Sequence, residues 1–286
     1  MEPWPALAPY GRKVQLRSGL TLFVFEAGAR EAPALLLLHG LGDEADTWRH
    51  VFLPLAERFR VLAPDLPGFG RSDKPRRTYT LAFLRDTVIE LMEAVGFDIA
   101  GLVGHSLGAV IAQLVALEHP ARVRELILVS GSLTTRARKL NPVILQMALP
   151  FLGERMYTAL RADPQAAYES LRPFYADLDA LPEAERKFLY QRVNERVWSD
   201  DQRRAFLSIL RQLVWVQPGR QRKLEARLAA LTVPTRAIWG DRDAVNDIES
   251  GRALITIQKS ATLTVLPGVG HQVPQEAPEE VLKVVR

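Results

Sequence analysis

The chain has 286 residues, 48% hydrophobic and 24% charged, an ordinary globular composition with enough apolar surface for a sizeable core. Its formal net charge of +4 rests on 30 Arg and 7 Lys, scattered and never interleaved with aromatics as a nucleic-acid footprint would be, so no nucleic-acid partner is expected. There is no cysteine, which excludes disulfides and thiolate metal sites and fits a reducing, cytoplasmic setting.

The first residues, MEPWPALAPYGRKV, carry three prolines and no apolar core of signal-peptide length. Residues 12–26 read as a hairpin, with Val14, Leu16, Leu20, Leu22 and Val24 alternating and Ser18-Gly19 as the turn. Ala34–Leu38 is a continuous apolar strand, and the longest apolar run, so no membrane span is expected. Asp46–Glu57 is predicted as a helix on the spacing of Trp48, Val51, Phe52 and Leu55. Strand Arg60–Ala63 ends in PDLPGFGRSD. Helix Thr80–Val95 is closed by Gly96, strand Ala100–Val103 follows, and helix Leu107–Glu118 stops at His119-Pro120. With strand Leu126–Val129 the alternation is complete. It predicts an α/β fold, with a mostly parallel sheet and helices on both faces.

From Leu133 to Leu231 no strand is legible. Prolines 142, 150, 164, 173, 182 and 218 punctuate a Leu-, Ala-, Arg- and Glu-rich stretch, as starts and stops of helices. Strand Arg236–Trp239, helix Asp247–Gln258, strand Thr262–Leu266 and a last helix from Pro278 then resume the pattern. The division expected is a core of residues 1–132 and 232–286 interrupted by a helical cap, 133–231, placed as a lid.

The join GLVGHSLGAV is where a buried strand meets a helix. Glycines 104 and 108 flank Ser106 at two residues on each side. So tight a turn strains the middle residue and needs small neighbours for the strand and helix to approach. It pushes a hydroxyl clear of the backbone, beside a helix N-terminus that stabilises negative charge. By composition, G-x-S-x-G occurs in about a tenth of chains this long. The strand-to-helix placement is what makes it a candidate nucleophile.

Serine needs a base. Of five histidines, His50 and His119 sit in or at the end of helices among solvated neighbours, and His105 adjoins the serine with its side chain directed elsewhere. His39 ends a strand. His271, in the loop GVGHQVPQEAPEEV after the last strand, is the base expected. Its carboxylate partner comes from GDRDAVND. Asp241 serves the turn and Asp247 the next helix start with Asn246 as its cap, which leaves Asp243 favoured over Asp241. The oxyanion donors expected are the N–H groups of Leu107 and of Leu41, in the loop His39-Gly40-Leu41-Gly42, with His39 bracing that loop.

LLLLHGLGD, DLPGFGRSD, VGHSLGA, WGDRDAV and GVGHQVPQEAPEEV, in this order over roughly residues 20–285, resemble the α/β-hydrolase superfamily, in its cap-containing, esterase- and lipase-like serine hydrolase branch. The resemblance implies the α/β-hydrolase fold, Ser106, Asp243 and His271 as triad, and Leu41 and Leu107 as oxyanion donors. Haloalkane dehalogenases and epoxide hydrolases of the superfamily use Asp as nucleophile, so Ser106 argues against both. His105 before the serine is shared with many esterases, where C–C hydrolases often have Asn. Two departures stand out: Asn246 replaces a frequent Pro, and the last helix is short.

The function expected is hydrolysis of a small-molecule carboxylic ester with an apolar acyl or aromatic group, without metal or organic cofactor, by a monomer or homodimer. The rivals are C–C bond, lactone or thioester hydrolysis on the same scaffold, and a ligand receptor that has kept it. Met147, Leu149, Phe151, Leu152, Met156, Tyr157, Phe174, Phe206, Leu210, Leu213 and Trp215 supply apolar cap surface, most of it expected as core and a minority as pocket. Arg203, Arg204 and Arg211 are expected on a solvated helix face.

Overall fold

Alternation at the start of the chain pairs two strands. In a computed structural model, which describes residues 1–134, 142–216, 219 and 221–285, β1 (Gly11–Gln15) and β2 (Thr21–Ala27) run antiparallel from Gly11↔Phe25 to Gln15↔Thr21. The turn carries Gly19 at φ 88°, a left-handed conformation that glycine adopts at no steric cost. Six further strands follow: β3 (Ala34–Leu38), β4 (Arg60–Pro64), β5 (Ala100–His105), β6 (Val123–Val129), β7 (Thr235–Gly240) and β8 (Ala261–Leu266). The sheet order is β1-β2-β4-β3-β5-β6-β7-β8. Only the pairs made by β2 are antiparallel.

The sheet is buried on both faces, which is why β3 and β5 read as unbroken apolar runs. Leu36, Leu38, Leu102 and Leu128 meet α2 (Leu81–Ala94) and α3 (Leu107–Glu118) on one side. Leu35, Leu37, Val103 and Ile127 meet Trp48, α1 (Phe52–Ala56) and, at the chain's end, Val281 and Leu282 on the other. Thr80 caps α2 by accepting the Phe83 N–H at 3.0 Å. At its end Gly96, φ 72°, lets Phe97 N–H reach the Met92 carbonyl at 2.8 Å.

The helix predicted over Asp46–Glu57 is not continuous. A 3-10 turn, Ala45–Trp48, is followed by the five-residue α1. Pro54 explains the break: at that depth in a longer helix its ring would meet the carbonyl four residues back, and it has no N–H to donate.

Between β6 and β7 the described chain is helical: α4 (Pro142–Ala148), α5 (Leu152–Ala159), α6 (Pro164–Glu169), α7 (Glu183–Trp198), α8 (Asp200–Arg211) and α9 (Gln221–Ala229). Pro142 and Pro164 open α4 and α6, and Pro182 stands at the N-cap of α7. Pro218 lies outside the described residues. Helices α4 to α8 form two small apolar clusters of their own. Leu224 and Leu228 of α9 join the main core beside Leu231 and Val233, as do Ala205 and Ile209 of α8. After β7 come α10 (Glu249–Ile257), a short α11 (Val273–Glu276) that the sequence pattern did not show, and α12 (Pro278–Val285).

Buried ion pairs fasten the insertion to the sheet. Arg49 Nε donates to Glu185 of α7 at 2.6 Å, and its guanidinium lies 5.5 Å from the Trp4 ring and 5.6 Å from that of Phe188. Arg196 of α7 donates to Asp43 at 2.7 Å and to Glu44 at 2.7 and 2.9 Å. Burial opposes ionisation of Glu185, but hydrogen bonds from His50 and Arg49 outweigh it and hold the carboxyl down at about 2. Its stabilising contribution is thus present above the ordinary value of 4.5 and is lost as pH falls from there towards 2. Removing one partner of such a pair leaves a buried charge uncompensated. Arg196→Met is expected to destabilise the protein by about 3–5 kcal/mol. Urea unfolding checks this, and a loss below about 1 kcal/mol would show that the pair does not bear on stability.

Candidate active site

The site is assembled at the C-terminal ends of the central strands. β5 ends at His105 and α3 begins at Leu107, so one residue makes the whole turn. That residue, Ser106, has φ 53° and ψ −111°, a conformation that side-chain-bearing residues rarely take. Its N–H donates to the Val129 carbonyl at 2.8 Å. A Cβ on Gly104 would lie 2.3 Å from the Gly108 carbonyl carbon, and one on Gly108 would lie 2.0 Å from the Leu38 oxygen. Both glycines are required by contact. Gly131, just after β6, is a third that the sequence reading missed: its Cβ would stand 2.3 Å from the Ser106 carbonyl oxygen. Its only signal is a small residue two positions past the end of the strand beside β5.

His271 Nδ1 faces Asp243 Oδ2 at 2.7 Å. Asp243 Oδ1 accepts the N–H groups of Val245 and Asn246, each at 2.8 Å, and its side chain is wholly buried. A carboxylate only accepts, so Nδ1 carries the hydrogen and the neutral ring leaves Nε2 as the proton acceptor. Asp241 instead accepts the Gly268 N–H at 2.7 Å. Asn246 does not cap α10. Its Nδ2 donates to the Ser130 carbonyl at 2.8 Å and ties the Asp243 loop to the strand next to the elbow.

The loop after β3 is fixed by His39. Its Nδ1 donates to the Gly40 carbonyl and its Nε2 accepts the Leu66 N–H, both at 2.8 Å. Burial holds this ring's pKa below the usual value, so it is a neutral brace between the Leu41 loop and the DLPGFG turn. Leu107 is the first residue of α3, so its N–H has no partner in the helix. The Leu41 N–H makes no backbone hydrogen bond among the described residues. Leu41, Leu107, Ser106 and His271 all border one cavity.

The family model for the alpha/beta hydrolase fold matches residues 33–278. The chain belongs to the α/β-hydrolase family. Epoxide hydrolase 4 of Homo sapiens is 26% identical over 284 residues, which cover 94% of this chain and 75% of that protein. The structure of a membrane phospholipase A, a bacterial virulence factor, is 28% identical with TM-score 0.76, over 96% of this chain and 84% of its own. A 2-hydroxy-6-oxo-6-phenylhexa-2,4-dienoate hydrolase from Rhodococcus sp. strain RHA1 shares the fold, with 24% identity, TM-score 0.80 and coverage of 96% and 97%.

In this hydrolase the cavity beside Ser106 has a volume of about 160 Å³, similar to an engineered apolar cavity that takes benzene. Of the apolar residues expected over the site, Met147, Phe174, Phe206, Leu210 and Leu213 line it. Tyr157 is buried within the insertion, whereas Leu149, Phe151, Leu152 and Trp215 are exposed and belong to neither core nor pocket. Arg203, Arg204 and Arg211 face away from Ser106, in a cleft shared with Arg76 and Arg77 across α8 from the cavity.

The histidine loop is held from three sides. Gln272 N–H donates to the Phe174 carbonyl at 2.9 Å. Glu276 accepts the N–H groups of Ala176 at 2.7 Å and Gly270 at 3.1 Å. From below, His105 Nε2 donates to the His271 carbonyl at 2.9 Å. Burial, and the neighbouring His271, push the His105 pKa down to about 4. A histidine kept neutral in the fold costs stability as pH falls. Below its ordinary value of 6.5 the unfolded chain takes up a proton that the folded protein refuses until about 4. That window is worth about 3 kcal/mol. His105→Gln keeps an N–H donor but cannot titrate, so the loss of stability between pH 7 and 4.5 should be smaller in the variant. Denaturant unfolding at the two pH values tests this, and equal losses in both proteins would remove His105 as the cause.

Proposed function

We propose that this α/β-hydrolase cleaves carboxylic esters of small to medium apolar acyl or aromatic groups through an acyl-enzyme on Ser106. The carrying observation is the coincidence, around one cavity, of a strained serine, a histidine whose Nδ1 is committed to a buried carboxylate, and two backbone N–H groups without partners among the described residues. His271 Nε2 takes the Ser106 proton as Oγ attacks the ester carbonyl. The carbonyl oxygen becomes negative and is held by the Leu41 and Leu107 N–H groups. Protonated His271, steadied by Asp243, gives its proton to the leaving alcohol. Water activated by the same nitrogen then frees the acid and restores the serine.

Asp243 accepts three N–H groups in all, so it fixes the ring without needing to take a proton. The oxyanion donors are backbone, hence already oriented, and the apolar wall keeps water from competing with them. A serine nucleophile separates this reading from epoxide opening, for which the family resemblance expects an aspartate. The likeness to a phospholipase structure supports ester chemistry. We place the helices over the site as a cap that sets acyl size.

Hydrolysis of p-nitrophenyl esters from acetate to palmitate should peak at short to medium chains, in keeping with the cavity. Ser106→Ala should lower kcat by at least about 10³-fold, and Asp243→Asn by about 10⁴-fold through the wrong histidine tautomer, with folding unchanged. Near-wild-type turnover by Ser106→Ala would overturn the mechanism. Negligible rates on every ester, with turnover of a diketone or lactone, would move the substrate class and leave the triad in place.

A further inference from the structure

Four large apolar side chains stand in solvent on one part of the insertion. Phe151 is 84% exposed, Trp215 53%, Leu149 43% and Leu152 39%. They come from the α4–α5 turn and the segment after α8, and they are neighbours: Trp215 Nε1 donates to the Ala148 carbonyl at 3.3 Å, next to Leu149. Phe151 is held at φ 64°, a strained backbone for a bulky residue. The chain therefore accepts a backbone cost and an apolar exposure at the same point. Isolated exposed apolar residues need no explanation, but a contiguous group with two aromatics marks a contact surface.

The charge around this patch says what covers it. Arg155, one turn after Phe151 on α5, is exposed and makes no ion pair among the described residues. Arg211 donates to the Ala148 and Leu149 carbonyls and to Glu154, and so joins the patch to the cleft of five arginines against Glu154 and Asp200. Within that cleft Arg76 and Arg77 have no carboxylate partner among the described residues. Apolar and aromatic tips rimmed by arginine, on a chain of net charge +4, are complementary to acyl chains under anionic headgroups. The helices that carry the patch also border the site: Ile144 and Met147 of α4 and Leu210 of α8 line the Ser106 cavity.

We infer that this face of the insertion docks on a lipid surface carrying anionic headgroups, with Phe151 and Trp215 entering the acyl boundary and the arginines meeting phosphates. Docking is a binding property and stands apart from the ester reading. It brings the cavity to an interface where apolar substrates collect.

The test is co-sedimentation of the full chain with vesicles of phosphatidylcholine alone and of phosphatidylcholine with phosphatidylglycerol, at low and high salt. The wild type should pellet with the anionic vesicles and be released by salt. Phe151→Ser with Trp215→Ser should reduce partitioning about tenfold or more, with the fold retained by circular dichroism, since neither side chain is in the core. Arg155→Glu should weaken binding to the anionic vesicles. The inference is overturned if the wild type pellets with neither vesicle, or if the double variant binds as well as wild type. It is also overturned if light scattering shows a dimer that the double variant dissolves, which would assign the patch to a second copy.

Discussion

The contact on which the site depends is that of α3 against β3, where the Gly108 Cα sits so near the Leu38 carbonyl that a methyl group would stand 2.0 Å from its oxygen. This approach brings the start of α3 under the end of the sheet and leaves a single residue to make the turn. Ser106 takes the strained φ because the strand on one side and the helix on the other are already fixed by burial. The Val129 carbonyl accepts its N–H, and Gly131 packs on its own carbonyl. The serine is thus positioned by backbone contacts with β6 and the residues just after it, and the cost of its conformation is offset by a core of leucine and valine far larger than the site.

The histidine end is built differently. His271 lies in a loop, where backbone freedom would blur its placement, and the structure removes that freedom with polar contacts. His105, Gln272 and Glu276 each fix a different part of the loop. His105 serves only as a neutral ring with its hydrogen on Nε2, and burial supplies that state. His39 is neutral for the same reason and braces the Leu41 loop. Three histidines thus cluster at this end of the sheet. Two are braces because burial outweighs the pull of the nearby carboxylates on their charged forms, and the third is hydrogen-bonded to a carboxylate directly.

Much of this was legible in the sequence because it rests on local rules. A five-residue apolar run names a buried strand, Gly-x-Ser-x-Gly at its junction with a helix names a tight turn, and a polar loop with Asp after a strand names an acceptor. The features that escaped reading depend on long-range contact. Gly131 is defined by Ser106, which is 25 positions earlier in the chain. Asn246 looked like a helix cap because of its neighbours, but its side chain is taken by Ser130 across the sheet. The helix expected over 46–57 followed apolar spacing, which carries no term for Pro54. The exposed Phe151 and Trp215 were invisible as such, since an apolar residue in a helical pattern is assigned to a buried face unless something shows that the face has no partner.

The buried charges tie these two levels together. Asp43 and Glu44 follow directly on the Gly40-Leu41-Gly42 loop, and both are held by Arg196 of α7. Burial alone would raise the Asp43 pKa, but the Arg196 guanidinium beside it outweighs burial and keeps the carboxyl low. The charge is therefore maintained by an arginine from the insertion. Displacement of α7 would leave Asp43 buried without its cation, and Glu44, whose pKa burial already pushes up to about 7, would be driven to its neutral form. The helical insertion in this sense helps to hold the Leu41 loop as well as lining the cavity. Its ion pairs are costly to bury as stability elements, and their place next to Leu41 gives the physical reason for spending that energy there.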